Sequence, residues 1–185
     1  MTFRSPHLLD RESSALLVVD IQEKLVPVIE KGQQVVANAT KLIEAASILG
    51  VPVLISEQYT KGLGPTVSQI NTAKAAIVEE KSMFSCRGCP QILAKLEEQG
   101  IRSVLLCGVE AHVCIAQTAF DLVATGLQVH VAVDATGSRS ELDCRSALSR
   151  MNLHGIVATT TEAAIFEWCE DSTAPEFKLI KGLVA

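Results

Sequence analysis

Aromatic side chains are scarce in this 185-residue chain: Phe, Tyr and Trp together make up 4% of it, with one Trp and one Tyr. That leaves a core of small and aliphatic residues, the composition of strands buried on both faces and of closely packed helices. No apolar run approaches the about 20 residues of a membrane-spanning helix, so no membrane partner is expected. Basic runs are missing too, and the net charge of −5 argues against nonspecific binding of nucleic acid. The opening MTFRSPHLLDRESS has no apolar core of the length a secretory signal requires. Asp10 and Glu12 interrupt its arginines and serines, which leaves a mitochondrial transit peptide unsupported and a cytoplasmic location as the expectation. Six cysteines, at 86, 89, 107, 114, 144 and 169, would allow three disulfides, yet free thiols are expected in an intracellular α/β chain.

What is present alternates. The apolar run ALLVVDIQ (15–22) reads as a doubly buried parallel strand, and 33–49 carries helical spacing stopped by Gly50. Further strands are expected at 51–58, 75–81, 103–109, 128–134 and 155–160. Helices are expected at about 89–99, 112–125, 140–153 and 161–170. The length suits one domain spanning 1–185, with no repeat and no linker. Strands alternating with helices through short turns predict a three-layer α/β fold. Its six-stranded parallel sheet would be doubly wound in the order 3-2-1-4-5-6, with helices on both faces.

In that order strands 1 and 4 are neighbours, and ligands bind in the crevice outside their carboxyl ends. Asp20 ends strand 1, Lys81 ends strand 3, and Cys114 opens the helix after strand 4. A helix N-terminus and a nearby lysine favour a thiolate, and the same N–H groups can receive an oxyanion. Cysteine as nucleophile, aspartate as acid and base, and lysine as electrostatic partner form a complete set for acyl transfer. Taken singly, Cys114 reads equally as a packed helix thiol, Asp20 as a cap and Lys81 as a solvated charge. Their convergence at one switch point makes them a candidate site.

Four stretches carry a resemblance: LLVVDIQEKL at strand 1, EKSMFSC after strand 3, LLCGVEAHVC at strand 4 and VHVAVDATGSRS at strand 5. Over nearly its whole length the chain resembles the isochorismatase-like cysteine hydrolases, in particular the branch of small isochorismatase-domain proteins. The resemblance implies a Cys-Asp-Lys triad of Cys114, Asp20 and Lys81. It also implies a non-proline cis peptide between Val109 and Glu110, which turns the N–H of Glu110 toward the same oxyanion site as the N–H of Cys114. The reactions it implies are hydrolysis of small amides and carbamoyl compounds, or of a vinyl ether. Homo-oligomers, dimers or larger, are implied as well.

Nicotinamidases of this family carry an Asp-x-His metal motif after strand 2, where this chain reads ISEQYTKGLGP without histidine. Neither a metal nor another cofactor is therefore expected, and a small molecule is the expected partner. His112 stands two residues before Cys114, a spacing that turns its side chain away on the way into a helix. Gln22, Tyr59 and Phe84 flank the same sheet edge and are candidate walls of a substrate pocket. Two other readings stand beside the hydrolase. CRGCP (86–90) has the Cys-x-x-Cys spacing of a dithiol oxidoreductase, which would require an exposed and acidic Cys86 paired with Cys89. The other is a catalytically idle oligomeric binding protein.

Overall fold

The structure, a computed structural model, describes residues 4, 5 and 7–184. The opening segment read for a targeting signal falls partly on residues 1–3 and 6, outside the described residues. Six strands form one sheet: β1 (Ser14–Val19), β2 (Val53–Gln58), β3 (Ile77–Lys81), β4 (Ser103–Val109), β5 (Gln128–Gly137) and β6 (Val157–Thr159). Their order is β3-β2-β1-β4-β5-β6, and every neighbouring pair is parallel. The helices are α1 (Gly32–Leu49), a single turn α2 (Thr60–Leu63), α3 (Pro90–Glu98), α4 (Ala116–Ala124), α5 (Glu141–Leu153), α6 (Thr161–Cys169) and α7 (Phe177–Val184).

Central strands β1 and β4 are buried at every position, as continuous apolar runs require when both faces are covered. Alternate residues divide between two cores. Leu16, Val18, Leu105 and Cys107 pack with α1, α6 and α7 on one face; Leu17, Val19, Val104 and Leu106 pack with α3, α4 and α5 on the other. Each fully buried leucine contributes about 1.5–3 kcal/mol of transfer free energy. Trp168 of α6 lies in the first core with 1% of its surface exposed, and its indole N–H finds no partner among the described residues.

Local chemistry sets the helix ends. Gly50 takes φ 74° after α1, a left-handed stop that glycine adopts freely. Ser140 and Thr160 cap α5 and α6 through the N–H groups of Asp143 and Ala163. The start of α3 is served from the sheet instead: Glu79 of β3 accepts from the N–H groups of Gln91 and Ile92. This carboxylate ties the helix onset to the strand that ends in Lys81.

β2, β3 and β6 each begin two residues later than expected, and three other elements differ more. The first strand stops at Val19, because Asp20 turns left-handed at φ 54°. β5 runs on to Gly137, its pairing with β4 resuming at Thr136 after an irregularity. The helix expected over 112–125 begins as a five-residue π turn, Ala111–Ile115, before α4 proper. The short helix α7 had no counterpart in the expected pattern; Ile180 anchors it to the first core.

Candidate active site

Parallel pairing of β1 with β4 puts Val19 opposite Gly108 at the carboxyl edge of the sheet. The backbones approach so closely there that a Cβ on Gly108 would stand 2.0 Å from the Val19 carbonyl oxygen, and its φ is 119°. Only glycine fits. Asp20 follows immediately, with both carboxylate oxygens occupied. Lys81 Nζ donates to Oδ2 at 2.6 Å and Ser56 Oγ to Oδ1 at 2.7 Å. Lys81 also donates to Gln58 Oε1 at 2.8 Å, and these two residues are register partners of β2 and β3. Neither the Lys81 nor the Asp20 side chain has any exposed surface, and Cys114 is 6% exposed.

The three residues named from the sequence therefore form one buried cluster. Burial pushes the Asp20 carboxyl above its ordinary range against the opposing pull of Lys81. Burial is the largest influence on the Lys81 ammonium and works against it, but the Asp20 charge, the neighbouring Cys114 and the hydrogen bond to Asp20 together hold Lys81 above its usual value, so it stays charged. The Cys114 thiol is pushed up by burial and then by the Asp20 charge, with Lys81 only partly offsetting them. This corrects the expected thiolate: desolvation overrides the helix-onset effect, and the resting group is a thiol close enough to Asp20 to feel its charge.

The turn leading to the thiol has its own geometry. The Val109–Glu110 peptide is cis. The Glu110 carbonyl accepts from the N–H groups of Val113 and Ile115, passing over the N–H of Cys114 between them. The Glu110 carboxylate accepts from the backbone N–H of Arg139 at 2.9 Å and from its Nε at 3.0 Å. His112 turns to Ser138, Nδ1 lying 3.0 Å from Oγ. The segment after β5 thus braces the turn from outside.

The expected pocket walls fare differently. Gln22 lines no open space: it is fully buried and accepts from the Gln58 N–H at 2.7 Å. Its Nε2 donates to the carbonyls of Gln58 and Gly64 at 2.9 and 2.6 Å. It is a clip joining the loop after β1 to the end of β2, a use for which a buried amide is suited because all its groups are paired. Tyr59 is 57% exposed with φ 35°, and its N–H donates to the Lys81 carbonyl. Phe84 is 53% exposed and borders a cavity of about 550 Å³ with Met83, His112 and Phe120; Cys114 is not among its walls. Cys86 and Cys89 are free and fully buried. A hydrogen bond from Cys89 holds the Cys86 thiol below its ordinary value, but the exposure that dithiol exchange requires is missing.

Two members of the cluster escaped the sequence reading, Ser56 and Gln58. Their signal was present: two polar residues two apart at the end of an apolar strand share one face. Among the described residues no three His, Cys, Asp or Glu side chains converge as a metal-ligand set, and no helix is long and apolar enough to cross a membrane.

A parallel sheet in the order 3-2-1-4-5-6 with helices on both faces defines a doubly wound α/β protein, a class whose ligands bind outside the carboxyl ends of the strands at the switch point. The chain belongs to the isochorismatase-domain family, whose "Isochorismatase domain" model matches residues 14–163. It is 41% identical over 177 residues to isochorismatase domain-containing protein 1 of Danio rerio, covering 95% of this chain but 62% of that protein. The chain thus spans about three fifths of that relative's length. Against isochorismatase domain-containing protein 2 of Bos taurus the identity is 44%, covering 93% of this chain and 83% of the relative. Among solved structures, that of the MAR1 ribonuclease from Caenorhabditis elegans superposes with a TM-score of 0.89 at 37% identity, covering 96% of this chain and 92% of that one.

Proposed function

We propose that this family member is a metal-free cysteine hydrolase acting on the C–N bond of a small amide or carbamoyl compound. The observation that carries the reading is the fully buried Asp20–Lys81 pair, 2.6 Å apart, with the Cys114 thiol against the same carboxylate. A raised carboxyl is matched to accepting a proton from a raised thiol and giving it up again.

In the first step the Cys114 proton passes to Asp20 while sulfur attacks the carbonyl carbon. The carbonyl oxygen becomes an oxyanion, received by the N–H groups of Glu110 and Cys114. The passing-over of the Cys114 N–H by the Glu110 carbonyl supports that role. Asp20 then protonates the departing nitrogen, the C–N bond breaks, and a thioester on Cys114 remains. Water, losing a proton to Asp20, attacks the thioester; the acid leaves and the proton returns to sulfur. Lys81 stays charged throughout and compensates the carboxylate.

Six free thiols support a reducing compartment such as the cytoplasm. A homo-oligomer, dimer or larger, belongs to the same reading. Vinyl-ether hydrolysis, which needs no thioester, and an idle binding protein are the competing readings.

The test is intact-protein mass after incubation with a panel of small amides and carbamoyl compounds, comparing wild type with Cys114→Ala. The expected result is an acyl adduct and ammonia release from wild type alone. Wild-type turnover by Cys114→Ala would remove the nucleophile assignment. An RNA oligonucleotide belongs in the panel because the C. elegans relative is called a ribonuclease; its cleavage by wild type would replace the amide reading.

A further inference from the structure

Cys86 and Cys89 take no part in the acyl-transfer steps, yet the Cys86 thiol belongs to the same buried cluster. It is close enough to Asp20 and Lys81 to feel their charges, and within hydrogen-bonding reach of Ser56 and Cys89. Neither thiol has any exposed surface, which suits a hydrogen-bonding role and not thiol exchange. The turn Cys86–Gly88 is fixed to α4, because the Cys86 N–H donates at 2.9 Å to the hydroxyl of the fully buried Thr118. Ser56, fully buried on β2, therefore has two acceptors as neighbours: the Cys86 sulfur, and Asp20 Oδ1, to which its hydroxyl donates at 2.7 Å.

A hydroxyl has one hydrogen, so Ser56 can serve the carboxylate or the sulfur but not both. While Asp20 is charged the carboxylate wins, since charge-assisted bonds are roughly twice as strong as neutral ones and sulfur is a weak acceptor. Protonation of Asp20 reverses that order. Oδ2 faces the Lys81 ammonium, which can only donate, so Oδ2 stays the accepting oxygen and the proton sits on Oδ1. Oδ1 then attracts the Ser56 hydrogen only weakly, and a sealed hydroxyl without another acceptor would be left unpaired. The geometry points to Ser56 as a positioning residue with two settings: it donates to Asp20 while Asp20 is a carboxylate, and to the Cys86 sulfur while Asp20 holds the proton. This role rests on the reading of Asp20 as the proton carrier. No bond to Ser56 breaks; rotation of its hydroxyl moves the hydrogen, and the proton on Asp20 stays free to reach the departing nitrogen.

The test is the titration of Asp20, followed by NMR of the side-chain carboxyl carbon in protein made with isotope-labelled aspartate. Its signal is identified by its absence in Asp20→Asn. The titratable groups that face Asp20 are Lys81 from β3, Cys114 from the π turn and Cys86 from the turn before α3. Cys114→Ala is the parent protein, because thiol and carboxyl otherwise titrate as a coupled pair. No substrate is used, so failure of the amide reading would leave the result standing. Ser56→Ala removes a donor to the charged form, and the midpoint is expected to rise by about one to two pH units, a 10- to 100-fold gain in proton affinity. Cys86→Ala removes the acceptor used in the neutral form, and the midpoint is expected to fall by about half a unit or more, roughly threefold. Loss of the Cys86 S–H, a weak donor, acts the other way and is smaller. Cys86→Ser keeps an acceptor and is expected within about 0.3 unit of the parent. Should Cys86→Ala not fold, Cys86→Val fills the volume without an acceptor and carries the same expectation. Packing alone gives no such opposition of sign between Ser56 and Cys86. A midpoint unmoved by Ser56→Ala overturns the proposal, as does one that rises or stays in place when the sulfur is removed.

Discussion

Replacing Lys81 by Met isolates the energetics of the buried pair. The methionine fills similar volume, so the change is electrostatic: Asp20 loses the donor 2.6 Å from Oδ2, and Gln58 Oε1 loses its partner at 2.8 Å. Breaking a fully buried pair by removing one member costs about 3–5 kcal/mol, set against the 5–15 kcal/mol that holds a typical domain folded. With a urea m-value near 2 kcal/mol/M this is a fall of about 1.5–2.5 M in the unfolding midpoint, read by circular dichroism. The loss depends on pH. In Lys81→Met the Asp20 pKa rises further above its unfolded value, so the folded state holds a proton that the unfolded state has released. The stability gained from that proton is present below about pH 4 and is lost, by about 1.4 kcal/mol per pH unit, as pH rises toward the folded pKa. The deficit against wild type is therefore small in acid and full at pH 8. Adding Asp20→Asn to Lys81→Met removes the stranded charge and is expected to restore about half or more of the loss at neutral pH. A deficit below 1 kcal/mol, or one that stays constant from pH 5 to 8, would refute the account of Asp20 as a charge sustained by Lys81.

The remaining expectations concern single residues. Alkylation of Cys114 by iodoacetamide, followed by peptide mass spectrometry, is expected to rise about tenfold per pH unit from 7 to beyond 9, since burial and Asp20 hold the thiol protonated; a plateau below pH 8.5 contradicts this. Gly108→Ala is expected to cost more than about 4 kcal/mol, since about 1–3 kcal/mol of backbone strain is joined by a clash with the Val19 carbonyl. A urea midpoint near wild type would show that the two strands part easily. Gln22→Leu leaves the N–H and carbonyl of Gln58 and the carbonyl of Gly64 unpaired, a loss of about 2–4 kcal/mol by the same assay. A change under 0.5 kcal/mol would return Gln22 to the role of pocket wall.

The sheet was legible because its central strands are apolar at every position, and a parallel six-strand order follows from crossover handedness. Asp20, Lys81 and Cys114 were legible by place: each stands at the carboxyl end of an expected strand or at the onset of the helix that follows one. Gln22 was misjudged because a residue at the right sheet edge can point at backbone as readily as at a cavity. Ser56 and Gln58 were passed over because they look like ordinary strand-end polarity until register places Gln58 beside Lys81. The π turn left no trace in the pattern, since one extra residue in a helical ring barely alters the spacing of apolar positions. The raised thiol was hidden for a different reason. Helix onset is written in the sequence, whereas desolvation depends on everything packed above it.

The single Trp gives the protein a built-in optical reporter with an unusually clean field of view. Trp168 lies in the core formed with α1 and α7, across the sheet from the core that contains Cys114. Its emission will shift to the red when that layer opens and its indole meets water, with no second indole to blur the signal. Acylation or alkylation of Cys114 should leave the spectrum unmoved. A fluorescence trace and a thiol-reactivity trace on the same sample therefore watch opposite faces of one sheet, and whether the two fall together tells whether the faces melt as one.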